Sequence, residues 1–176
     1  CLLSDDPQKA KTIALQLDEL NEERRVIEAK MQQQALGSID KTLLKQDATG
    51  LAIGLCLFDE EWHQGVIGIV AGRIKDRFHR PVVAFAAVNE QELKGSARSV
   101  PGLHIRDAFD AIAKLQPSMM NKFGGHAMAA GLTIKREHYQ QFAELFDQEV
   151  RRHLSEKDLA SIIHSDGELP NEDFYL

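Results

Sequence analysis

The strongest constraint on the fold is a strand–helix–strand pattern near the middle of the chain. Leu51–Phe58 and Val82–Val88 are short, nearly continuous apolar runs, which suit buried strands. Between them, Trp62–Phe78 carries apolar residues at helical spacing. Elements in this order favour an α/β fold in which helices cover a sheet.

The elements that follow predict a mixed sheet covered by helices. A turn at Asn89–Gln91 joins the second strand to a third in a hairpin, and a fourth strand comes later. The predicted elements are strands over Glu92–Ser99 and Gly131–Ile134 and amphipathic helices over Ile105–Leu115 and Glu137–His153.

A long helix is predicted before the sheet. Asp6-Pro7 is a good helix start, and the stripe that follows ends near Gly37. About 30 residues at 1.5 Å each form a rod of roughly 45 Å, which is either a packing helix or a connector between two lobes. The stripe has 4-3-4-3-4 spacing and comprises Ile13, Leu17, Leu20, Arg24, Ile27 and Met31. We therefore divide the chain into this helix (1–37), an α/β domain (38–154) and a polar, acidic tail (155–176).

Charge and composition narrow the function classes. The net charge is −6, yet Trp62–Arg136 holds eleven Lys and Arg against five Asp and Glu, which is compatible with a confined phosphate-binding face.

Two cysteines make neither a disulfide framework nor a zinc site, so we expect a reducing cytoplasm. No apolar run approaches the roughly 20 residues of a membrane span. Because the chain opens on Cys1, we expect a fragment of a larger protein.

The densest candidate site is the segment FGGHAMAAG, Phe123–Gly131. Gly124 and Gly125 let backbone N–H groups converge on an anion, and His126 follows at the rim of that concavity. Small residues around them allow a ligand or another backbone to come close. The alternative is a glycine turn into a small-residue strand, with His126 exposed incidentally.

A second candidate is KGSARS, Lys94–Ser99. On a strand, Ser96 and Arg98 share one face, and a hydroxyl beside a guanidinium makes a good phosphate clamp. A solvated edge strand is the alternative interpretation.

A third candidate is WHQGVIGIVAGR, Trp62–Arg73. Its three glycines lie on one side of a helix, where they favour either close packing on the sheet or a smooth surface for a sugar-phosphate chain. His63 at the helix start could meet a phosphate through the terminal N–H groups. The chain shows no DxD or Asp-His-His run, whereas a two-metal hydrolase needs a cluster of several Asp and His ligands.

Four separated motifs together resemble the RecJ family of the Asp-His-His phosphoesterase superfamily. WHQGVIGIVAGRI, GSARS, GLHIRDAFDAI and KFGGHAMAAGL occur in this order between Trp62 and Leu132, and the resemblance covers the whole chain. It implies the second, DHH-associated lobe of a 5′→3′ exonuclease that acts on single-stranded DNA in recombination and repair. The Mn²⁺ or Mg²⁺ would be held by a first lobe preceding Cys1, so we expect no metal in this chain and no activity from it alone.

The resemblance also implies roles for individual residues. Ser96 and Arg98 match the strand that holds DNA phosphates, and the loop ending in His126 would face the metal centre and contact the scissile or terminal phosphate. The matched positions are Ser96, Arg98, Gly124, Gly125, His126, His63 and Arg73, the last two with less defined roles. From charge alone, Lys94, Arg106 and Lys122 are candidates for the strand's path.

The same resemblance explains the two ends of the chain. The long helix resembles the family's interlobe connector, and the tail from about Ser161 resembles the start of its oligonucleotide-binding barrel. Two alternatives stay open: a sister phosphoesterase that cleaves short oligonucleotides or phosphoadenosine phosphates, and an RNA-binding appendage like that of alanyl-tRNA synthetase. Trp62-His63 together with Ser96 and Arg98 favours the RecJ family.

Overall fold

A computed structural model describes residues 4–45 and 52–160. They form one mixed sheet with helices on both faces, which confirms the predicted α/β class. In chain order the elements are α1 (Pro7–Lys45), β1 (Leu55–Phe58), α2 (Ile67–Phe78), β2 (Val82–Ala87), β3 (Glu92–Arg98), α3 (Ile105–Leu115), β4 (Met120–Gly125), β5 (Ala129–Lys135) and α4 (Tyr139–His153).

The sheet has the strand order β1-β2-β3-β5-β4. β1 and β2 are parallel because α2 carries the chain back between them, and the other neighbouring strands are antiparallel. β3 therefore lies at the centre, hydrogen-bonded to β2 on one side and to β5 on the other.

Each face of the sheet has its own apolar core. On one face α3 and α4 cover the sheet, with Phe109, Phe142 and Phe146 fully buried and in mutual ring contact. On the other face α1 and α2 cover β1 and β2, where Val70 and Ile74 of α2 are fully buried. The second core ends at β2, so no helix of that layer packs over β5 and β4 within the described residues.

The start of α1 is as predicted. Asp6 caps it, because its carboxylate accepts hydrogen bonds from the N–H groups of Gln8 and Lys9 at 2.9 and 3.2 Å. The predicted end near Gly37 is wrong, since the helix continues to Lys45. A glycine costs a helix only about 1 kcal/mol, and burial of Ala35 and Ile39 on either side of it offsets that cost.

The stripe along α1 is only partly buried. Met31 is 2% exposed, whereas Leu17 and Leu20, farther toward the N-terminus, are 55% and 60% exposed. The described residues thus cover the C-terminal part of the stripe and leave its N-terminal part uncovered; its role as a connector between lobes stays a prediction.

Two further predictions need correction. The sequence predicts four strands, but a fifth, β4, occupies one edge of the sheet. α2 begins at Ile67 rather than Trp62, because Gln64, Gly65 and Val66 form a turn before it. The predicted start of a barrel from about residue 161 lies outside the described residues, and within them no helix is apolar over a length that could cross a membrane.

Burial along α1 generates a stability prediction. Met31→Ala should lower the free energy of unfolding by about 2–5 kcal/mol, because it leaves a cavity between α1 and α2. Leu20→Ala, on the same helix, should change it by less than about 0.5 kcal/mol. Urea denaturation of both variants measures this, and equal losses would mean that α1 does not pack as described.

Candidate nucleic-acid interface

The uncovered part of the sheet forms an open surface beside α2, which we call the shelf. It consists of the side of β3, β5 and β4 that faces away from α3 and α4, and its wall is the N-terminal end of α2. Its lining residues are Gln64, Gly65, Ile67, Gly68, Lys94, Gly95, Ser96, Arg98, Gly124, Gly125, Ala129, Ala130 and Gly131.

Strand alternation places the polar residues of β3 on the shelf. Leu93, Gly95 and Ala97 are buried, whereas Lys94, Ser96 and Arg98 are exposed or partly exposed. Successive residues of a strand point to opposite faces, so the three polar residues share the face that the core does not use. A Cβ built on Gly68 of α2 would touch both Ser96 and Arg98, which identifies this face as the one beside α2.

The floor of the shelf is almost free of side chains. The register pairs Ser96 of β3 with Gly131 of β5, and Gly131 with Gly124 of β4. Neighbouring strands lie about 4.8 Å apart, so this row spans roughly 10 Å and carries only one hydroxyl. The next row pairs Arg98 with Ala129. A ligand can therefore approach the backbone of three strands closely.

The shelf concentrates positive charge without counterions. Among the described residues, no Asp or Glu forms an ion pair with Lys94, Arg98 or Lys122. Lys122 shares the register position of Thr133 with Lys94, so the two lysines flank the floor on β4 and β3. Such a face attracts an anionic ligand even though the chain as a whole is acidic.

Among the described residues, only the Nη1 atom of the Arg98 guanidinium has hydrogen-bond partners. Its Nη1 donates to Ser96 Oγ at 3.2 Å and to the carbonyl of Ala97 at 2.8 Å. In the described part of the chain, no acceptor hydrogen-bonds to its Nε or Nη2. These N–H groups can therefore bind a phosphate oxygen, and a guanidinium does so with good geometry.

The glycine-histidine segment forms a tightly held turn at the end of the shelf. The N–H of His126 donates to Ala129 O at 2.8 Å, Ser99 N–H donates to Met128 O at 3.0 Å, and Ile105 N–H donates to Ala127 O at 2.9 Å. The end of β3 and the start of α3 thus fix the turn. Because Arg98 pairs with Ala129, the exposed His126 lies at the same end of the sheet as Arg98.

Gly125 cannot be replaced without strain. Its φ is +149°, and a Cβ there would meet the backbone of Ala129 and Ala130 and would lie 2.7 Å from Ala130 Cβ. A Cβ at Gly124 would have no atom of the described residues within 4 Å. The two glycines therefore differ: Gly125 shapes the turn, and Gly124 keeps the floor open.

The structure does not bring every candidate residue to the shelf. His63 is exposed beside α1, and its Nδ1 accepts a hydrogen bond from Gly65 N–H at 3.1 Å. Arg73 pairs with Glu28 of α1, with Nε 3.3 Å from the carboxylate oxygen. Arg106 is exposed in the first turn of α3. Like His63 and Arg73, it does not line the shelf; His126 and Lys122 lie beside the shelf and are not among its lining residues either.

The structure adds contacts that sequence reasoning missed. Gly68 abuts Arg98, a contact that depends on how α2 docks on β3. Gln64 anchors the turn before α2, because its Nε2 donates to Ala87 O at 3.0 Å. The three glycines of Trp62–Arg73 indicate a close approach in the sequence, but their spacing alone does not indicate which of them contacts the sheet.

The described residues of the chain do not fit a catalytic metal. Within residues 4–45 and 52–160, no group of three or more His, Cys, Asp and Glu side chains could hold an ion. A metal ion that acts on a ligand of the shelf would therefore need donors from outside these residues.

Comparison with known proteins decides the family. Residues 41–152 match the DHHA1 domain family. The chain belongs to the DHHA1 family. It is 48% identical over 177 residues to the single-stranded-DNA-specific exonuclease RecJ of Haemophilus influenzae, covering 99% of this chain and 30% of that protein. It is 46% identical to Escherichia coli RecJ, covering 96% of this chain and 29% of the relative.

A solved structure agrees with this assignment. RecJ from Thermus thermophilus in complex with Mn²⁺ superposes with a TM-score of 0.69 at 29% identity, over 86% of this chain and 20% of that one. The chain thus spans about 30% of the length of its curated RecJ relatives. The DHHA1 match covers the sheet, the shelf and helices α2, α3 and α4, and leaves most of α1 outside.

The contrast between the two glycines predicts a difference in stability. Gly125→Ala should lower the free energy of unfolding by roughly 1–3 kcal/mol, because it forces a side chain into a disfavoured conformation against a neighbouring strand. Gly124→Ala should leave it within about 0.5 kcal/mol. Chemical denaturation followed by circular dichroism tests both, and an unaffected Gly125→Ala protein would contradict the turn geometry.

Proposed function

We propose that this chain is the single-stranded-DNA-binding lobe of a metal-dependent 5′→3′ exonuclease that acts in DNA recombination and repair in the cytoplasm. The observation that carries the proposal is the shelf, where cations that pair with no acid among the described residues flank a floor of backbone and small residues. The names of the relatives, single-stranded-DNA-specific exonucleases, support the same substrate.

As a binding surface, the shelf suits single-stranded DNA better than a duplex. Binding without base readout relies on a positively charged groove that follows the sugar-phosphate backbone. Arg98 and Ser96 would hold one phosphate, because the remaining N–H groups of the guanidinium and the hydroxyl point to the same face. Lys94 and Lys122 would neutralise phosphates across the floor.

His126 would act at the end of the bound strand. Backbone hydrogen bonds from two elements fix its turn, so the backbone that carries the imidazole is held in place before a ligand binds. We propose that it contacts the scissile or terminal phosphate and stabilises charge that develops there. Gly124 and Gly125 would let that phosphate approach the backbone. His63 and Arg73 stay candidates for contacts beyond the shelf.

The metal ions would come from elsewhere in the parent protein. The related RecJ structures are described with Mg²⁺ and Mn²⁺, whereas the described residues of this chain offer no donor set for them. A bound divalent ion would supply the activated water and charge neutralisation for phosphodiester hydrolysis. This chain would bind the substrate opposite the lobe that holds the metal.

Removing the guanidinium tests the binding role. Arg98→Ala should weaken binding of a labelled single-stranded oligonucleotide by about 1.5–3 kcal/mol, or roughly 10- to 100-fold in Kd. It should also reduce the slope of log affinity against log salt by about 0.7. Fluorescence anisotropy at several salt concentrations measures both values.

Arg77→Ala is the matched control, because it removes the same charge from the exposed last turn of α2. It should change affinity little. Equal effects of the two variants would mean that net charge, rather than the shelf, binds DNA. Competition by single-stranded RNA or a dinucleotide that exceeds competition by DNA would reject the proposed substrate.

Catalysis provides a second test. The purified chain with Mn²⁺ should leave a 5′-labelled single strand intact, because its described residues include no metal cluster. Gel analysis of product length measures this. Degradation that co-purifies with the chain, and that chelation abolishes, would show that the chain holds a metal site of its own.

A further inference from the structure

One contact connects α2 to Arg98, the proposed phosphate-binding residue. Gly68, in the first turn of α2, lies directly against the polar side of β3. A Cβ at this position would be 3.0 Å from Nη2 of Arg98 and 3.1 Å from Oγ of Ser96. Real Cβ atoms rarely come this close to a neighbour, so the guanidinium occupies space that only a glycine leaves open.

The chain contains a natural comparison on the same helix. Gly72 lies one turn after Gly68, and a Cβ there would meet no atom of the described part of the chain within 4 Å. Glycine is a poorer helix former than alanine at both positions. At Gly72 the structure shows no contact that requires glycine, whereas at Gly68 the contact is with the side chains of the shelf.

We propose that Gly68 is a positioning residue, whose missing side chain sets the place of the Arg98 guanidinium on the shelf. This inference rests on the proposed function and deepens it by naming what holds the phosphate-binding guanidinium of Arg98 in place. It concerns a residue that acts through Arg98, not one that contacts DNA itself.

The geometry explains how a single methyl group would act. Arg98 reaches back along β3, where Nη1 bonds to Ser96 Oγ and Ala97 O, and its Nη2 then faces Gly68. A methyl group at Gly68 would push the end of this flexible side chain aside by a few tenths of an ångström. The fold tolerates that shift, but the bond to Ser96 and the side-chain rotamer of Arg98 would be disturbed.

The close approach of Arg98 to Gly68 also brings two sources of positive charge together. The first-turn N–H groups of a helix carry partial positive charge, and Gly68 belongs to that turn of α2. With glycine at this position, the guanidinium lies against the helix end, and both can face the same phosphate. A side chain at Gly68 would separate them.

The test compares five proteins: the wild-type chain, Gly68→Ala, Gly72→Ala, Arg98→Ala and the double variant Gly68→Ala/Arg98→Ala. Affinity for a fluorescein-labelled single-stranded oligonucleotide is measured by anisotropy at low salt, and folding is checked by thermal denaturation. Both glycine variants should unfold at or above the wild-type midpoint, because alanine favours the helix.

Only Gly68→Ala should weaken binding, by about two- to tenfold, the cost of an off-rotamer arginine. In the Arg98→Ala background the same change should have no further effect, because the residue through which it acts is gone. Wild-type affinity in Gly68→Ala, or an equal loss in Gly72→Ala, would overturn the proposal. An undiminished effect in the double variant would also overturn it, since the methyl group would then block the strand directly.

A spectroscopic readout separates this inference from the proposed function. The Nε–Hε resonance of Arg98, assigned by its loss in Arg98→Ala, should shift in Gly68→Ala and stay in place in Gly72→Ala. An unmoved resonance overturns the positioning role whatever the DNA affinity. Unchanged DNA affinity of Arg98→Ala would instead refute the proposed contact between Arg98 and the strand.

Discussion

The alternation of faces along β3 is the constraint on which the shelf depends. Leu93 and Ala97 lie in the core beneath α3 and α4, so Ser96 and Arg98 must point to the other face. A register slip of one residue would drive the guanidinium into that apolar core, at the cost of desolvating its charge. Because β3 is hydrogen-bonded to β2 on one side and to β5 on the other, both neighbouring strands fix its register. The packing of the core and the exposure of Ser96 and Arg98 are thus two consequences of one pattern.

The long helix contributes to the same surface indirectly. α1 is fastened to the segment before α2, because Trp62 Nε1 donates to Gln34 Oε1 at 3.2 Å and Lys30 pairs with Glu61 at 2.9 Å. The hydrogen bond from Lys30 holds the pKa of Glu61 below its usual range. The exposed ion pair is weak by itself, but buried Met31 of α1 and Trp62 belong to the same apolar core. α1 therefore supports the wall of the shelf by holding α2 on the sheet.

The sequence predicted the elements whose periodicity is strong and missed those that depend on context. β2, β3, α3 and α4 follow from apolar runs and amphipathic spacing, whereas β4 is a polar edge strand with little apolar signal. The shared face of Ser96 and Arg98 follows from a period of two. The floor opposite them does not, because it depends on the register that places Gly131 beside Ser96. The pairing of Arg73 with α1 likewise depends on tertiary docking.

The placement of counterions explains how an acidic chain can present an anion-binding surface. Away from the shelf, several basic side chains have acidic neighbours; for example, Arg73 pairs with Glu28, and Arg151 with Asp147. On the shelf, the described residues give Arg98 only neutral partners, the hydroxyl of Ser96 and a carbonyl. An acid beside Arg98 would stabilise the free protein and compete with a phosphate for the same N–H groups. Without an acid there, the guanidinium stays available, so the local arrangement of charge, rather than its sum, determines which face of the chain is suited to an anion.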